Sequence, residues 1–398
     1  MKILLVNDYA GDTGGAELHM RSLRLQLQSR GHDARLFSSS AQLRPGDELP
    51  EYSCLGTTSR FRTLLQTANP WASSRLSEVL DEFKPDLVHV MIFLTQLSPL
   101  ILPVLRRVPC MLNVVWHRPV CLTGTKMLPD GSPCTSSWGL ACYENGCVPV
   151  RDWVPLMVQM RLFRRWRDAI DLFVANSAAT QSELAKDGIE PVEVLYPGTT
   201  AVRSRPPLGE MPVAGFVGRL VLEKGVDVLI RAFAPVVQHL PSARLVIVGD
   251  GPERPSLEQL VSSLNLRGHV TFRGRLSRAK VENVMEECWV QAAPSRWAEP
   301  FGLVAIEAQM RGTAVVASGS GGFCETIDDG RTGTLVPPGD TARLSEALFD
   351  LLAHRDRAET MGRAGRDRAL KLFQESATTD RLLALYDRIL HKRMRAVA

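Results

Sequence analysis

Two cations and two carboxylates stand at junctions between apolar runs in the second half of this 398-residue chain. The octet Gly218-Arg219-Leu220-Val221-Leu222-Glu223-Lys224-Gly225 puts an arginine and a lysine on one short loop. Arg219 can grip a phosphate through two N–H groups, and Lys224 can act as a compact point charge. The same octet also reads as a solvated charged turn in which Glu223 neutralises one of the cations. Further on, Glu299-Pro300-Phe301-Gly302-Leu303-Val304-Ala305-Ile306-Glu307-Ala308 sets two carboxylates eight residues apart. Glu299 falls just before a helix, and Glu307 lies on its second turn in an otherwise apolar face. A carboxylate in such surroundings needs a partner, because desolvating it unpaired is costly. A ribose diol would offer two hydroxyl donors; backbone groups or an arginine would also serve.

Glycines mark two more junctions. Asp12-Thr13-Gly14-Gly15-Ala16-Glu17 follows the first apolar run and opens a helix. Gly14 and Gly15 let a loop approach a ligand closely, and a helix start offers unpaired N–H groups to a phosphate. A plain tight turn is the other reading. Gly249-Asp250-Gly251-Pro252 ends a second buried run. None of these is the G-x-G-x-x-G dinucleotide fingerprint, which counts against an oxidoreductase.

The elements that must position these residues are short strands alternating with helical patterns. In the first half, strands are expected over 2–7, 34–37, 87–90, 111–115, 172–175 and 192–195, with a helix over 16–30. In the second half they are expected over 213–217, 244–248, 270–272, 289–292, 314–317 and 334–336. Helical stretches between them cover 226–238, 255–264, 279–287, 303–311 and 341–352. The strands are apolar on both faces, as in parallel sheets covered by helices. Two βαβ series joined near residues 196–208 by a Pro/Arg-rich connector imply two doubly wound parallel sheets. After about Gln374 an amphipathic basic helix carries Leu382, Leu383, Leu385, Ile389 and Leu390, and the pattern alone does not say on which domain it packs.

Bulk properties narrow the class. A hydrophobic share of 45% and a charged share of 23% are ordinary for a globular protein, and the length suits two domains. A formal charge of +4 fits an anionic ligand but falls short of a dedicated nucleic-acid binder, so no nucleic-acid partner is expected. No apolar run is long enough for a signal or a membrane span, so a cytoplasmic location with reduced cysteines is expected.

Taken together, the Gly-Gly-Ala-Glu segment, Gly218–Gly225, Val248–Pro252, Glu299–Ala308 and Gly321–Glu325 resemble, in order and spacing, the retaining glycosyltransferases of family 4. Asn176-Ser177 is similar too, and the likeness spans nearly the whole chain. The resemblance implies the GT-B fold, α/β throughout, with two Rossmann-like doubly wound parallel-sheet domains facing each other across a cleft. Residues 1–198 would form an acceptor-binding domain, joined by the C-terminal helix 375–398, and residues 207–374 a donor-binding domain.

It implies transfer of a sugar from a nucleotide-diphosphate sugar to an acceptor hydroxyl with retention, in glycan or glycoconjugate biosynthesis. Gly14 and Gly15 would meet the donor diphosphate, with Gly218, Arg219, Lys224 and Gly249. Glu307 would hold the ribose; Glu299, with the backbone of Phe301, Gly302 and Leu303, would face the sugar and phosphate. His117, in Trp116-His117-Arg118-Pro119, resembles the family histidine that points at the sugar. His117, Arg219, Lys224 and Glu299 are thus the catalytic candidates. No cofactor is required beyond the nucleotide sugar. The chain contains no D-x-D segment, so metal-free chemistry is expected. The alternatives are an epimerase or phosphorylase on the same fold, and a non-catalytic sugar-nucleotide-binding partner protein.

Two segments stand outside this scheme. Cys121, Cys134, Cys142 and Cys147 crowd a Gly/Pro-rich insert after His117, as a structural zinc set or as buried or free thiols. The stretch 153–166 carries Arg161, Arg164, Arg165 and Arg167 beside Met157, Met160, Leu162 and Phe163. It reads as an ordinary amphipathic helix, or as one making peripheral contact with an anionic membrane near a lipid-linked acceptor.

Overall fold

The computed structural model describes residues 1–11, 14–43 and 49–397, so Asp12 and Thr13 of the first glycine-rich segment lie outside the described residues. Among the described residues thirteen strands form two sheets. In the first half they are β1 (Lys2–Asn7), β2 (Asp33–Ser39), β3 (Tyr52–Cys54), β4 (Leu87–Val90), β5 (Cys110–Val114), β6 (Leu172–Ala175) and β7 (Val192–Val194). In the second half they are β8 (Val213–Val217), β9 (Arg244–Val248), β10 (Val270–Gly274), β11 (Val290–Ala293), β12 (Ala314–Ser318) and β13 (Thr334–Val336). The sheet orders are β3-β2-β1-β4-β5-β6-β7 and β10-β9-β8-β11-β12-β13, with every pairing parallel.

All twelve expected strands are present, and β3 is the addition. It pairs at the edge with β2, Phe37 opposite Tyr52. Three residues are too few to show a periodicity.

The chain divides into two units. One comprises Met1–Lys126, Thr135–Gly198 and Ser376–Ala398; the other comprises Met127–Cys134 and Thr199–Glu375. In the first unit both faces of the sheet are covered, which is why β1 is apolar throughout. Leu4 and Val6 point into a cluster with Leu76, Val79 and Phe83 of the helix Pro70–Phe83. Ile3 and Leu5 point the other way, against Met20, Leu23 and Leu27 of the helix Gly15–Ser29. The C-terminal helix Glu375–Val397 shares that second cluster through Leu382, Tyr386 and Ile389. Its Tyr386 hydroxyl lies 2.7 Å from Nδ1 of His89 on β4, and both residues are fully buried.

The second unit repeats the arrangement. Ala214, Phe216, Leu245 and Ile247 pack with Leu229 and Phe233 of the helix Val226–His239 on one face. On the other face Val315 and Ala317 meet Ala305 and Ala308 of the helix Leu303–Arg311. A long helix that the apolar pattern does not announce, Arg355–Leu372, packs by a small-residue stripe. Ala358, Gly362, Gly365 and Ala369 are its buried positions, together with Met361. A Cβ on Gly362 would lie 2.0 Å from the Gly312 carbonyl oxygen, so only a bare backbone permits that approach.

Burial pushes the His89 imidazole down to about 3 from 6.5, with His19 nearby acting the same way. The folded first unit keeps His89 neutral while an unfolded chain protonates it, so His89 withdraws stability as pH falls below 6.5. We expect His89→Gln to flatten that acid limb in urea unfolding at stepped pH. Tyr386→Phe leaves Nδ1 of His89 without its partner, and should lower stability by about 1–3 kcal/mol at pH 7.

Candidate active site

Parallel strands deliver all their following loops to one edge, and the strand order decides which loops part company. In the second sheet the chain steps outward through β9 and β10 on one side of β8, and through β12 and β13 beyond β11 on the other. β8 and β11 are therefore the switch point, where open α/β sheets leave a crevice for ligands. The loop after β8 carries Gly218–Gly225, and the loop after β11 carries Pro294–Gly302.

These two loops bring Lys224 and Glu299 together. The Lys224 Nζ donates to Glu299 Oε1 at 2.6 Å, and the Ser295 hydroxyl donates to the same oxygen at 2.7 Å. Lys224 also stands over the Trp297 ring, 5.3 Å from its centre. Glu299 is only 6% exposed. Burial pushes its carboxyl up, but the Lys224 charge and the hydrogen bonds from Lys224, Ser295 and Trp297 outweigh burial and hold it below the usual carboxylate range. Lys224 keeps two of its three N–H donors beyond this bond. Ser295 and Trp297 were not singled out in the sequence. The available signal was their position, between the end of an apolar strand and a carboxylate that required donors.

Arg219 takes the other role foreseen for a cation beside Glu223. It pairs with Glu223 at 3.4 Å while its side chain stays 61% exposed. The loop itself is clamped from both sides. The Gly218 N–H donates to Val248 O at 3.0 Å, Leu220 N–H to Asp250 O at 3.0 Å, and Arg296 N–H to Glu223 O at 2.9 Å. Gly249 has φ +137°, and a Cβ there would lie 1.8 Å from the Gly218 carbonyl oxygen. Its glycine identity is thus set by the approach of the β8 and β9 loops.

The helix Leu303–Arg311 starts directly after this cluster. Its N-cap is Gly302, with φ +92° and no side-chain cap. The first N–H groups of this helix therefore have no capping side chain, and they carry the positive end of the helix dipole. A Cβ on Gly302 would come within 2.4 Å of the Phe323 ring. Phe301 is 3% exposed and meets Phe373 edge to face at 5.7 Å, so its side chain is core and its backbone is what the loop presents.

Glu307 is half-buried on the second turn of the same helix. It accepts no hydrogen bond and forms no ion pair among the described residues. The nearby Arg311 is committed elsewhere, to Glu282 at 2.9 Å and to Gln291 at 2.7 Å. Burial pushes the Glu307 carboxyl up; Arg311 and Arg278 oppose this, and Glu282 adds to it. The arginine or backbone partner considered from the sequence is not there.

In the first unit the remaining candidates occupy the corresponding edge. Gly14 and Gly15 open the helix that follows β1, with Gly14 as an extended N-cap lacking a side chain. His117 follows β5 and is 2% exposed; its N–H donates to the Gly124 carbonyl at 3.2 Å, and its carbonyl accepts from Val120 at 3.0 Å. After β6, the Ser177 hydroxyl caps the next helix by accepting from Thr180 N–H at 3.0 Å. Asp8, which no sequence pattern marks, follows β1 directly and is fully buried. Its carboxylate accepts from the N–H groups of Thr95, Gln96 and Leu97 at 2.7–2.9 Å and from the Thr95 hydroxyl. Burial still pushes it up to about 6.

Of the four insert cysteines, Cys121 is buried, and Cys134, Cys142 and Cys147 are half-buried. Among the described residues no group of three or more His, Cys, Asp or Glu is placed to hold a metal ion. Cys121 is instead engaged locally, 3.3 Å from the Thr123 hydroxyl and accepting from Lys126 N–H at 3.4 Å.

Comparison with known proteins adds an independent line. Residues 13–203 match the Glycosyltransferase Family 4 profile, and residues 199–368 match Glycosyl transferases group 1. A GDP-mannose-dependent alpha-(1-6)-phosphatidylinositol monomannoside mannosyltransferase of Mycobacterium tuberculosis is 32% identical over 54% of this chain and 61% of its own length. The alpha-D-kanosaminyltransferase of Streptomyces kanamyceticus is 32% identical over 47% of this chain and 48% of its own. The matched region thus spans about half to three fifths of these relatives.

Among solved structures, sucrose-phosphate synthase of Thermosynechococcus elongatus superposes with TM-score 0.76 at 24% identity, covering 98% of this chain and 99% of that one. Anabaena HepE in complex with UDP and glucose gives 0.72 at 22%, covering 97% and 99%. These likenesses concern the fold. With two profiles in series along most of its length and this parallel α/β architecture, the chain belongs to glycosyltransferase family 4, with the GT-B fold.

Proposed function

We propose that the chain transfers a sugar from a nucleoside-diphosphate sugar to an acceptor hydroxyl, with retention and without a metal, in glycan or glycoconjugate biosynthesis. The observation that carries this reading is the Lys224 ammonium, held by Glu299 at the switch point of the second sheet. As the anomeric C–O bond breaks, the electron pair leaves with the diphosphate, whose negative charge grows. Lys224, the exposed Arg219 guanidinium and the N–H groups that open the helix Leu303–Arg311 are suited to meet that charge. Preorganised donors of this kind are worth about 2.7–4 kcal/mol each.

The departing phosphate oxygen then accepts the proton of the acceptor hydroxyl as the new C–O bond forms on the same face. The engagement of Glu299 with Lys224 and Ser295 supports a positioning role for it over covalent attack. Glu307 is suited to the ribose, since two hydroxyls can donate to a carboxylate that no protein group occupies. Residues 207–374 would serve the donor and residues 1–198 the acceptor, with His117 as an orienting hydrogen-bond partner. Gly14 and Gly15 offer a helix start that suits a phosphate.

Thermal shift with guanosine, uridine, adenosine and thymidine diphosphates tests donor binding. The guanosine and uridine forms come first because similar proteins are named with GDP-mannose or seen with UDP. One of the four should raise the unfolding temperature, and transfer should survive EDTA. Donor consumption with no acceptor glycosylated would overturn the proposal.

Glu307→Gln should leave the fold intact, because the carboxylate it replaces is unbonded and held protonation-prone. It should weaken nucleotide binding by about 10–100-fold, the worth of one charged hydrogen bond, as read by calorimetry.

Lys224→Met should remove transfer and also lower stability by about 2 kcal/mol at neutral pH, because Glu299 is left buried and unpaired. Adding Glu299→Gln should recover most of that stability and none of the transfer. Wild-type rates in Lys224→Met would end the assignment.

A further inference from the structure

The helix Val150–Trp166 has one face that the first unit does not use. Leu156, Gln159, Met160 and Phe163 are buried on one side. On the other, Val150, Val154 and Val158 are 58%, 54% and 41% exposed. At 3.6 residues per turn, these valines, Met157, Arg161, Arg164 and Arg165 fall within an arc of about 120°. The arc is apolar along its first half and cationic along its second.

Neither half is explained by the fold. Valine is a poor choice for an exposed helix surface, since its branched Cβ restricts the side chain and gives no propensity advantage. Three on successive turns of one solvent-facing stripe therefore call for a partner that covers them. Arg161 and Arg165 form no hydrogen bond or ion pair among the described residues. They line an open cavity of about 710 Å³ with Trp138, Met157, Arg164, Lys186 and Asp187, the last paired with Arg164 at 3.5 Å.

Aromatic groups with one polar tip flank the face. Trp138 donates to Asp187 at 3.1 Å, with Arg164 stacked 4.9 Å from its ring centre. Trp153 donates to the Gly139 carbonyl at 2.9 Å and lies 6.1 Å from the 46%-exposed Tyr143. Nearby in sequence, Leu140 is 56% exposed.

We propose that this face docks on an anionic lipid bilayer, the valines entering the headgroup boundary and the arginines meeting lipid phosphates. Charge complementarity selects that occupant: Asp187 offsets Arg164, Arg161 and Arg165 remain without a carboxylate partner among the described residues, and the apolar half suits acyl chains rather than a polyanion in water. Among the described residues no helix is long and apolar enough to cross a membrane, so the contact is one of lying on the surface. The proposal does not depend on sugar transfer.

Co-sedimentation of the full chain with vesicles tests it without reference to activity. Wild type should partition onto phosphatidylcholine vesicles containing phosphatidylglycerol and not onto phosphatidylcholine alone. The partition should fall steeply between roughly 0.05 and 0.5 M salt. Arg161→Gln with Arg165→Gln should cut it about 30-fold. Val154→Ser with Val158→Ser should also weaken it severalfold while leaving the charge unchanged. All four positions are exposed, so both variants should match wild type in unfolding temperature and circular dichroism. No binding to anionic vesicles, equal binding to neutral ones, or undiminished binding by either folded double variant would overturn the proposal.

Discussion

A carboxylate taken out of water must be given charge and donors, and Glu299 shows how much local structure that requirement organises. Its donors come from separate strand ends: Lys224 from the loop after β8, Ser295 from its own loop after β11. To bring them within bonding distance, the β8 loop is clamped by backbone bonds to the β9 loop and to Arg296. The outcome is a lysine with donors to spare, fixed beside a helix whose first N–H groups have no cap. Had the pair been exposed, it would be worth little and would hold nothing in place. Burial is what makes it a constraint.

Legibility of the fold followed the size of the buried side chains. Strands that are covered on both faces announce themselves as unbroken runs of Val, Ile and Leu, so β1 and β9 could be placed from sequence. The helix Arg355–Leu372 could not, because its buried stripe of Ala358, Gly362, Gly365 and Ala369 has almost no hydrophobic signature. What the stripe supplies is absence of volume, which lets one backbone lie against another. β3 escaped for a different reason: three residues at a sheet edge fit too many patterns. The destination of the C-terminal helix also lay beyond the pattern, since an apolar stripe states that something must cover it and not what. The clusters around Ile3 and Leu5 answer that.

The site was legible as chemistry and less so as pairing. Charged types on strand-end loops pointed to an anionic ligand, and the structure gathers Lys224, Glu299 and the start of the helix Leu303–Arg311 at one switch point. Which cation Glu223 would neutralise was undecidable from the octet, because Arg219 and Lys224 are both within its reach along the chain; the loop geometry gives it Arg219. Glu307 shows the converse. Its arginine neighbour on the helix was a natural partner, yet Arg311 turns to Glu282 and Gln291.

The return of the helix Glu375–Val397 bears on the order in which the units can be completed. Leu382, Tyr386 and Ile389 belong to the same cluster as Ile3 and Leu5, so β1 cannot finish its packing until the helix Glu375–Val397 has been synthesised. Domains commonly mature in the order of synthesis. Here that order is inverted for final consolidation, because Thr199–Glu375 is in hand before the earlier unit receives its closing helix. A nascent first unit would wait with one face of its sheet partly bare.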